Sequence, residues 1–167
     1  DSRWIVYASN SQLKKVGLAG GAPQVVSAFE GTFQGGAWSP DGTIVFGSGN
    51  KVRGLWKVSS AGGTPVQLID TQAAAARHPL LLPDGRHYLL LVESEKTPTP
   101  EIHIGTLVEK GKRRLASAES GALYAPPGYL LFVREVALTA QAFDDRSLRL
   151  AGEPAPAGLD AAGRRAP

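Results

Sequence analysis

Two short motifs return along the chain at spacings of 42 and 43 residues, and this period constrains the fold more than any other feature. Leu13-Lys14-Lys15-Val16-Gly17-Leu18-Ala19-Gly20-Gly21-Ala22-Pro23 aligns with Leu55-Trp56-Lys57-Val58-Ser59-Ser60-Ala61-Gly62-Gly63-Thr64-Pro65, with seven of eleven positions identical. A second marker runs Ser39-Pro40-Asp41-Gly42, then Leu82-Pro83-Asp84-Gly85, then Ala125-Pro126-Pro127-Gly128. Each marker is followed by a strongly β-forming run: Ile44–Phe46, His87–Val92 and Tyr129–Val133. The opening Trp4-Ile5-Val6-Tyr7 reads as a degenerate copy of the same unit.

Each unit decodes as four short strands joined by tight turns. In Pro-Asp-Gly, Pro presets φ, Asp bonds its own backbone and Gly takes a positive φ. In unit two the strands are expected at Gly36–Ser39, Thr43–Ser48, Gly54–Ser59 and Pro65–Ile69, with a single helical turn at Ala73–Ala76. The units divide the chain at 1–30, 31–72, 73–117 and 118–156, leaving 157–167 as a tail or the start of a next unit. Unit one lacks its first strand. A four-stranded unit of this size matches one blade of a β-propeller. A blade has two faces to bury, which accounts for the unbroken apolar run Leu89-Leu90-Leu91-Val92. The expectation is therefore an all-β, partial propeller of four blade-like units, part of a larger or self-assembling ring. A β-sandwich with coincidental turn spacing is the alternative.

Composition narrows the chemistry. The 167 residues contain no Cys, which excludes disulfides, thiolate metal sites and thiol catalysis, and no Met, which fits a piece of a longer protein. A net charge of +3 is a weak bias. The basic clusters at Lys110, Lys112, Arg113, Arg114 and at Arg164, Arg165 read as solvated turn and tail charges, so no nucleic-acid partner is expected. No apolar run approaches the ~18 residues of a membrane helix, so this segment is not expected to insert.

Trp38-Ser39-Pro40-Asp41-Gly42 and Leu81-Leu82-Pro83-Asp84-Gly85-Arg86-His87-Tyr88 resemble the WD40-like repeats of TolB-type propellers. The stretch Tyr124–Glu135, with Ala140-Gln141-Ala142-Phe143-Asp144 and Leu150-Ala151-Gly152-Glu153-Pro154, is similar to propeller regions attached to bacterial serine/threonine kinases. That resemblance implies a sensor or docking module beyond a membrane segment, and favours an extracytoplasmic location. It also implies a ring of six or more blades. Kinase motifs are absent: there is no Gly-rich loop, catalytic-loop His-Arg-Asp or Asp-Phe-Gly.

Little in the chain points to catalysis, and no cofactor is expected. Gly-x-Ser-x-Gly is absent, and Gly105 to Gly111-Lys112 is one residue too long for a phosphate loop, with Arg113 where Ser or Thr belongs. His78, His87 and His103 share no metal-ligand spacing. His87 and His103 read as packed or hydrogen-bonded strand residues, and His78 as a loop residue entering unit three. Asp144-Asp145 reads as a hairpin turn. Propeller topology places binding on the rim carrying the D-to-A and B-to-C loops. The adhesive side chains expected there are Phe33, Lys51, Arg53, Arg77, His78, Glu95 and Lys96. The expected function is a non-catalytic binding or sensing module, taking a protein or small-molecule ligand at that rim. The alternatives are a propeller supporting a hydrolase whose catalytic residues lie elsewhere, and a self-associating scaffold.

Overall fold

The computed structural model describes residues 3–50, 52–71 and 74–157, and all regular structure among them is β. Four antiparallel sheets follow one another along the chain. Blade one holds β1 (Trp4–Ser9), β2 (Gln12–Gly17) and β3 (Gln24–Ala28). Blade two holds β4 (Thr32–Trp38), β5 (Thr43–Gly49), β6 (Gly54–Ser59) and β7 (Val66–Asp70). Blade three holds β8 (Ala75–Leu81), β9 (His87–Glu93), β10 (Glu101–Thr106) and β11 (Lys112–Ser117). Blade four holds β12 (Leu123–Ala125), β13 (Tyr129–Arg134), β14 (Ala137–Asp144) and β15 (Arg149–Pro156). Each is a simple meander, and blade one has three strands among the described residues.

The repeated turns do the work their chemistry predicts. Asp41 Oδ1 accepts from the Thr43 backbone N–H at 2.8 Å, and Gly42, at φ +89°, donates to the Ser39 carbonyl. Asp84 Oδ1 accepts from both Arg86 and His87 N–H groups, and Gly85 is likewise left-handed. Pro127 supplies no such acceptor, and the Gly128 N–H to Ala125 carbonyl bond at 3.2 Å holds the third turn. A carbonyl in each turn then accepts from the end of the third strand: Gly42 from Ser60, Arg86 from Leu107, Gly128 from Phe143. A bulge between the last two strands recurs in all four blades.

Alternation along the second strand of each blade settles how the sheets stack, because successive side chains point to opposite faces. In β5, Ile44 and Phe46 pack toward Leu13 and Val26 of blade one, while Val45 packs toward Ala76, Leu90 and Val92 of blade three. In β9, Tyr88 and Leu90 face blade two, and Leu89 and Leu91 join Leu130 and Phe132 of blade four. The unbroken apolar run is thus a strand buried on both sides.

Charge reinforces the stacking at one recurring place. Lys15 Nζ donates to the Ser60 carbonyl at 2.7 Å, and Lys57 Nζ donates to the Leu107 carbonyl at 2.9 Å. Arg113 Nη2 donates to the Leu148 carbonyl at 2.6 Å. Each cation reaches from one blade to the turn after the third strand of the next. The two lysine bonds are partly buried and charge-assisted, a kind worth about 1.5–3 kcal/mol, whereas the Arg113 bond is exposed.

Three expectations are corrected here. Ala75 and Ala76 belong to strand β8, Ala76 being fully buried between blades, so no helical turn forms there; Ala73 lies outside the described residues. Arg77 and His78 also belong to β8 instead of the preceding loop, because β8 starts at Ala75, within an alanine run of weak strand preference that β9 and blade two hold in the sheet. The basic cluster is not merely solvated: Arg113 ties blade three to blade four, and Arg114 pairs with Glu101 at 2.6 Å. Arg164 and Arg165 lie outside the described residues.

Candidate functional site

Two neighbouring residues of β8 lead to two different hollows. A bulge between Arg77 and Leu80 opens the β8–β9 ladder, and His78 takes φ +49° within it. Arg77 lines a rim cleft of about 350 Å³ between blades two and three. His78 lines a recess of about 400 Å³ where the first strands of blades two, three and four converge.

The rim cleft gathers charge from three separate segments. Arg53 comes from the β5–β6 connection, Arg77 from β8, and Glu93, Ser94 and Glu95 from the end of β9 and its following loop. Arg77 Nε lies 2.7 Å from Glu93 Oε2, an ion pair whose N–H is not aligned as a hydrogen bond. Arg53 Nε donates to the Asn50 carbonyl at 3.3 Å, and the Gln67 side chain donates to the Arg53 carbonyl, so the arginine stem is anchored. Half-exposed cations beside exposed carboxylates make a surface suited to a ligand carrying both signs of charge.

In the central recess the sheets approach closely around His78. A β-carbon on Gly121 would come within 2.9 Å of the His78 Cβ, and one on Gly35 within 3.4 Å of its Cα. Glycine in blades two and four thus leaves room for His78. Among the described residues no group of three or more potential ligands is placed to hold a metal ion, and no helix is long and apolar enough to cross a membrane.

The remaining expected rim residues disperse. Phe33 packs with Phe29 and Phe46, at centroid distances of 6.3 and 6.4 Å, in the contact between blades one and two. Lys51 lies outside the described residues. Lys96 is exposed on the turn closed by Ser94, whose hydroxyl accepts from its N–H. Sequence reasoning named Arg53, Arg77 and Glu95, which the fold brings together, and missed Glu93, whose place at the end of an apolar run was the available signal. His87 Nδ1 contacts Asp84 Oδ2, and His103 Nε2 lies 3.0 Å from Glu101 Oε2.

No protein-family model and no curated protein matches the chain. Solved structures do. TolB from Acinetobacter baumannii matches with a TM-score of 0.67 at 18% identity over 92% of this chain and 38% of its own. A chain of a nidogen/laminin complex gives 0.70 at 16% identity over 92% and 59%. Regucalcin, a calcium-binding protein from Agrobacterium tumefaciens, gives 0.66 at 16% over 87% and 51%. The fold is a β-propeller. The chain spans less than two thirds of each of these structures. An oligogalacturonate lyase in complex with manganese and a puromycin-hydrolyzing peptidase from Mycobacterium tuberculosis match as well, so the shared fold carries both enzymes and binding proteins.

Proposed function

We propose that this chain is a non-catalytic binding module, the sensor or docking part of a bacterial signalling protein of the kinase-linked type its repeats resemble. The observation that carries the reading is the convergence of Arg53, Arg77, Glu93 and Glu95 on one open rim cleft between blades two and three. Rim connections vary without disturbing the blade cores, which makes them the place where propellers acquire ligands. Clustered charge of both signs on an open rim is suited to recognising a ligand that carries both signs of charge. The matching ligand is a short peptide segment carrying both an acidic and a basic side chain. The nidogen/laminin complex supports the general idea, since that neighbour was solved with a protein partner.

Titration with a library of charged peptides tests this. Arg77→Ala is expected to weaken the best binder at least tenfold, and Glu95→Gln to weaken peptides with a basic residue selectively. His78→Ala, in the other hollow, is expected to leave affinity within twofold. Unchanged affinity in the Arg77→Ala, Glu95→Gln double variant removes the cleft as the site.

A second reading, a propeller supporting a hydrolase or lyase, draws on the lyase and peptidase among the structural neighbours. Flanking catalytic sequence in the full-length gene product would favour it.

A further inference from the structure

A third hollow, of about 260 Å³, lies between blades one and two toward their outer strands, and unlike the rim cleft it is almost wholly apolar. Phe29 reaches it from the end of blade one, Phe46 and Trp56 from β5 and β6 of blade two, and Val52 and Pro65 complete the walls. An apolar cavity of about 150 Å³ holds benzene, so this one has room for an aromatic ring and a short chain. The backbone on the blade-one side is held in place. The Phe29 N–H donates to the Ser11 carbonyl at 3.0 Å, and the buried Ser48 hydroxyl donates to the Glu30 carbonyl at 2.9 Å. Gly31 then turns the chain at φ +94°, where a β-carbon would collide with the Gly49 carbonyl oxygen and the Ser48 hydroxyl. The Phe29 ring meets Phe46 edge to face, with centroids 5.5 Å apart.

Blade stacking does not require these rings. In the 42-residue register Phe29 corresponds to Thr71. Phe46 pairs with Trp56, and their counterparts in blade three are the pair Leu90 and His103. The contact between blades two and three thus forms without an aromatic ring at any of the three positions. Charge then narrows the ligand. Among the described residues lining the hollow, Glu30 alone is charged, and it is exposed. The Trp56 indole nitrogen is buried and has no partner, so the part of Trp56 that reaches the hollow is hydrocarbon ring. The Ser48 hydroxyl is taken up by the Glu30 carbonyl. An anion would therefore meet a carboxylate, whereas aromatic rings and a carboxylate both attract a cation.

We propose that this hollow binds a small aromatic amine, its ring against Phe29 and Trp56 and its ammonium group at the Glu30 carboxylate. The apolar body of the ligand is held by burial, and the charge sets the preference among ligands of one shape. A cation–π contact and an exposed ion pair together amount to about tenfold in affinity. The site is separate from the rim cleft between blades two and three, with which it shares no lining residue.

Amide NMR of the full chain, titrated with 2-phenylethylammonium and separately with its neutral isostere 2-phenylethanol, tests the proposal. Saturable shifts are expected at Ala28, Phe29, Glu30, Val52, Trp56 and Thr64, with the amine bound about tenfold more tightly than the alcohol. Glu30→Gln, at an exposed position, brings the amine to within threefold of the alcohol and leaves the alcohol unchanged. Ala28→Phe fills the hollow, also from an exposed position, and weakens both probes at least tenfold while amide shifts in blades three and four stay as they were. Absence of saturable shifts overturns the proposal. So does equal affinity for the two probes, a preference for the amine that survives Glu30→Gln, or shifts centred on Arg77 and Glu93.

Discussion

Gly47 lies where blade two meets blade three, and a β-carbon there would stand 2.1 Å from the Ala76 carbonyl oxygen. Gly47→Ala is therefore expected to lower stability by about 1–3 kcal/mol, the usual range for overpacking, measured by urea denaturation. His103 is a second residue with a defined consequence. Burial, with Lys112 and Arg114 nearby, holds its ring below the ordinary histidine range despite the Glu101 carboxylate. Lys112 Nζ approaches Nδ1 at 3.4 Å, which fits a neutral ring with its proton on Nε2 toward Glu101. The folded state resists protonation, so the unfolded chain takes up more protons as the pH falls below about 6.5. Stability is fully present above that pH and declines toward the lower folded value. His103→Gln should flatten this decline, seen as a smaller difference between urea midpoints at neutral and mildly acidic pH. Asp84 acts further into acid. Burial alone would raise its carboxyl, but the His87 and Arg86 N–H donors and the His87 ring outweigh that and hold it low. Its contribution disappears only as the pH falls through that lowered value.

At the scale of the element, β9 separates a propeller blade from a one-sided sheet. In a half-solvated strand only alternate residues matter, whereas Leu89 and Leu90 point into two different inter-blade cores. Leu89→Ala and Leu90→Ala should each cost about 2–5 kcal/mol; near-neutrality at either position would contradict burial on both sides. The inter-blade cations offer a second check. Lys57→Met keeps most of the aliphatic stem and removes the bond to Leu107, with an expected loss of about 1.5–3 kcal/mol. Lys15 and Lys57 were visible as an identity in the repeat. Their role was not, because the acceptor belongs to the next blade, 45 or 50 residues away. Arg113 fills the same role from the fourth strand, where no repeat alignment would find it.

Across the whole molecule, the three core clusters of the described residues each join one blade to the next, so stability is expected to vary along the stack as in other repeat proteins. Amide exchange should be slowest in β5 and β9, which are packed on both faces, and faster in β1 to β3. Uniform protection would argue for a tighter unit than this stacking provides. The turn motifs and their period determined the blade, its four-strand order and the two-sided burial, because Pro-Asp-Gly and alternating apolar residues act over a few neighbouring positions. The start of β8 escaped the same reasoning. Its Ala75 and Ala76 carry weak strand preference and are held by β9 and by packing against blade two. The site divided along the same line. Arg53, Arg77 and Glu95 could be named from the strand assignment and the loop topology of a propeller, but only the tertiary structure joined them to Glu93 and sent His78 into the central recess. Sequence acts locally and fixes each blade. The contacts between blades join residues distant in the chain, 35 positions for Arg113 and Leu148 and 50 for Lys57 and Leu107, and only packing of one sheet on the next decides which of them meet.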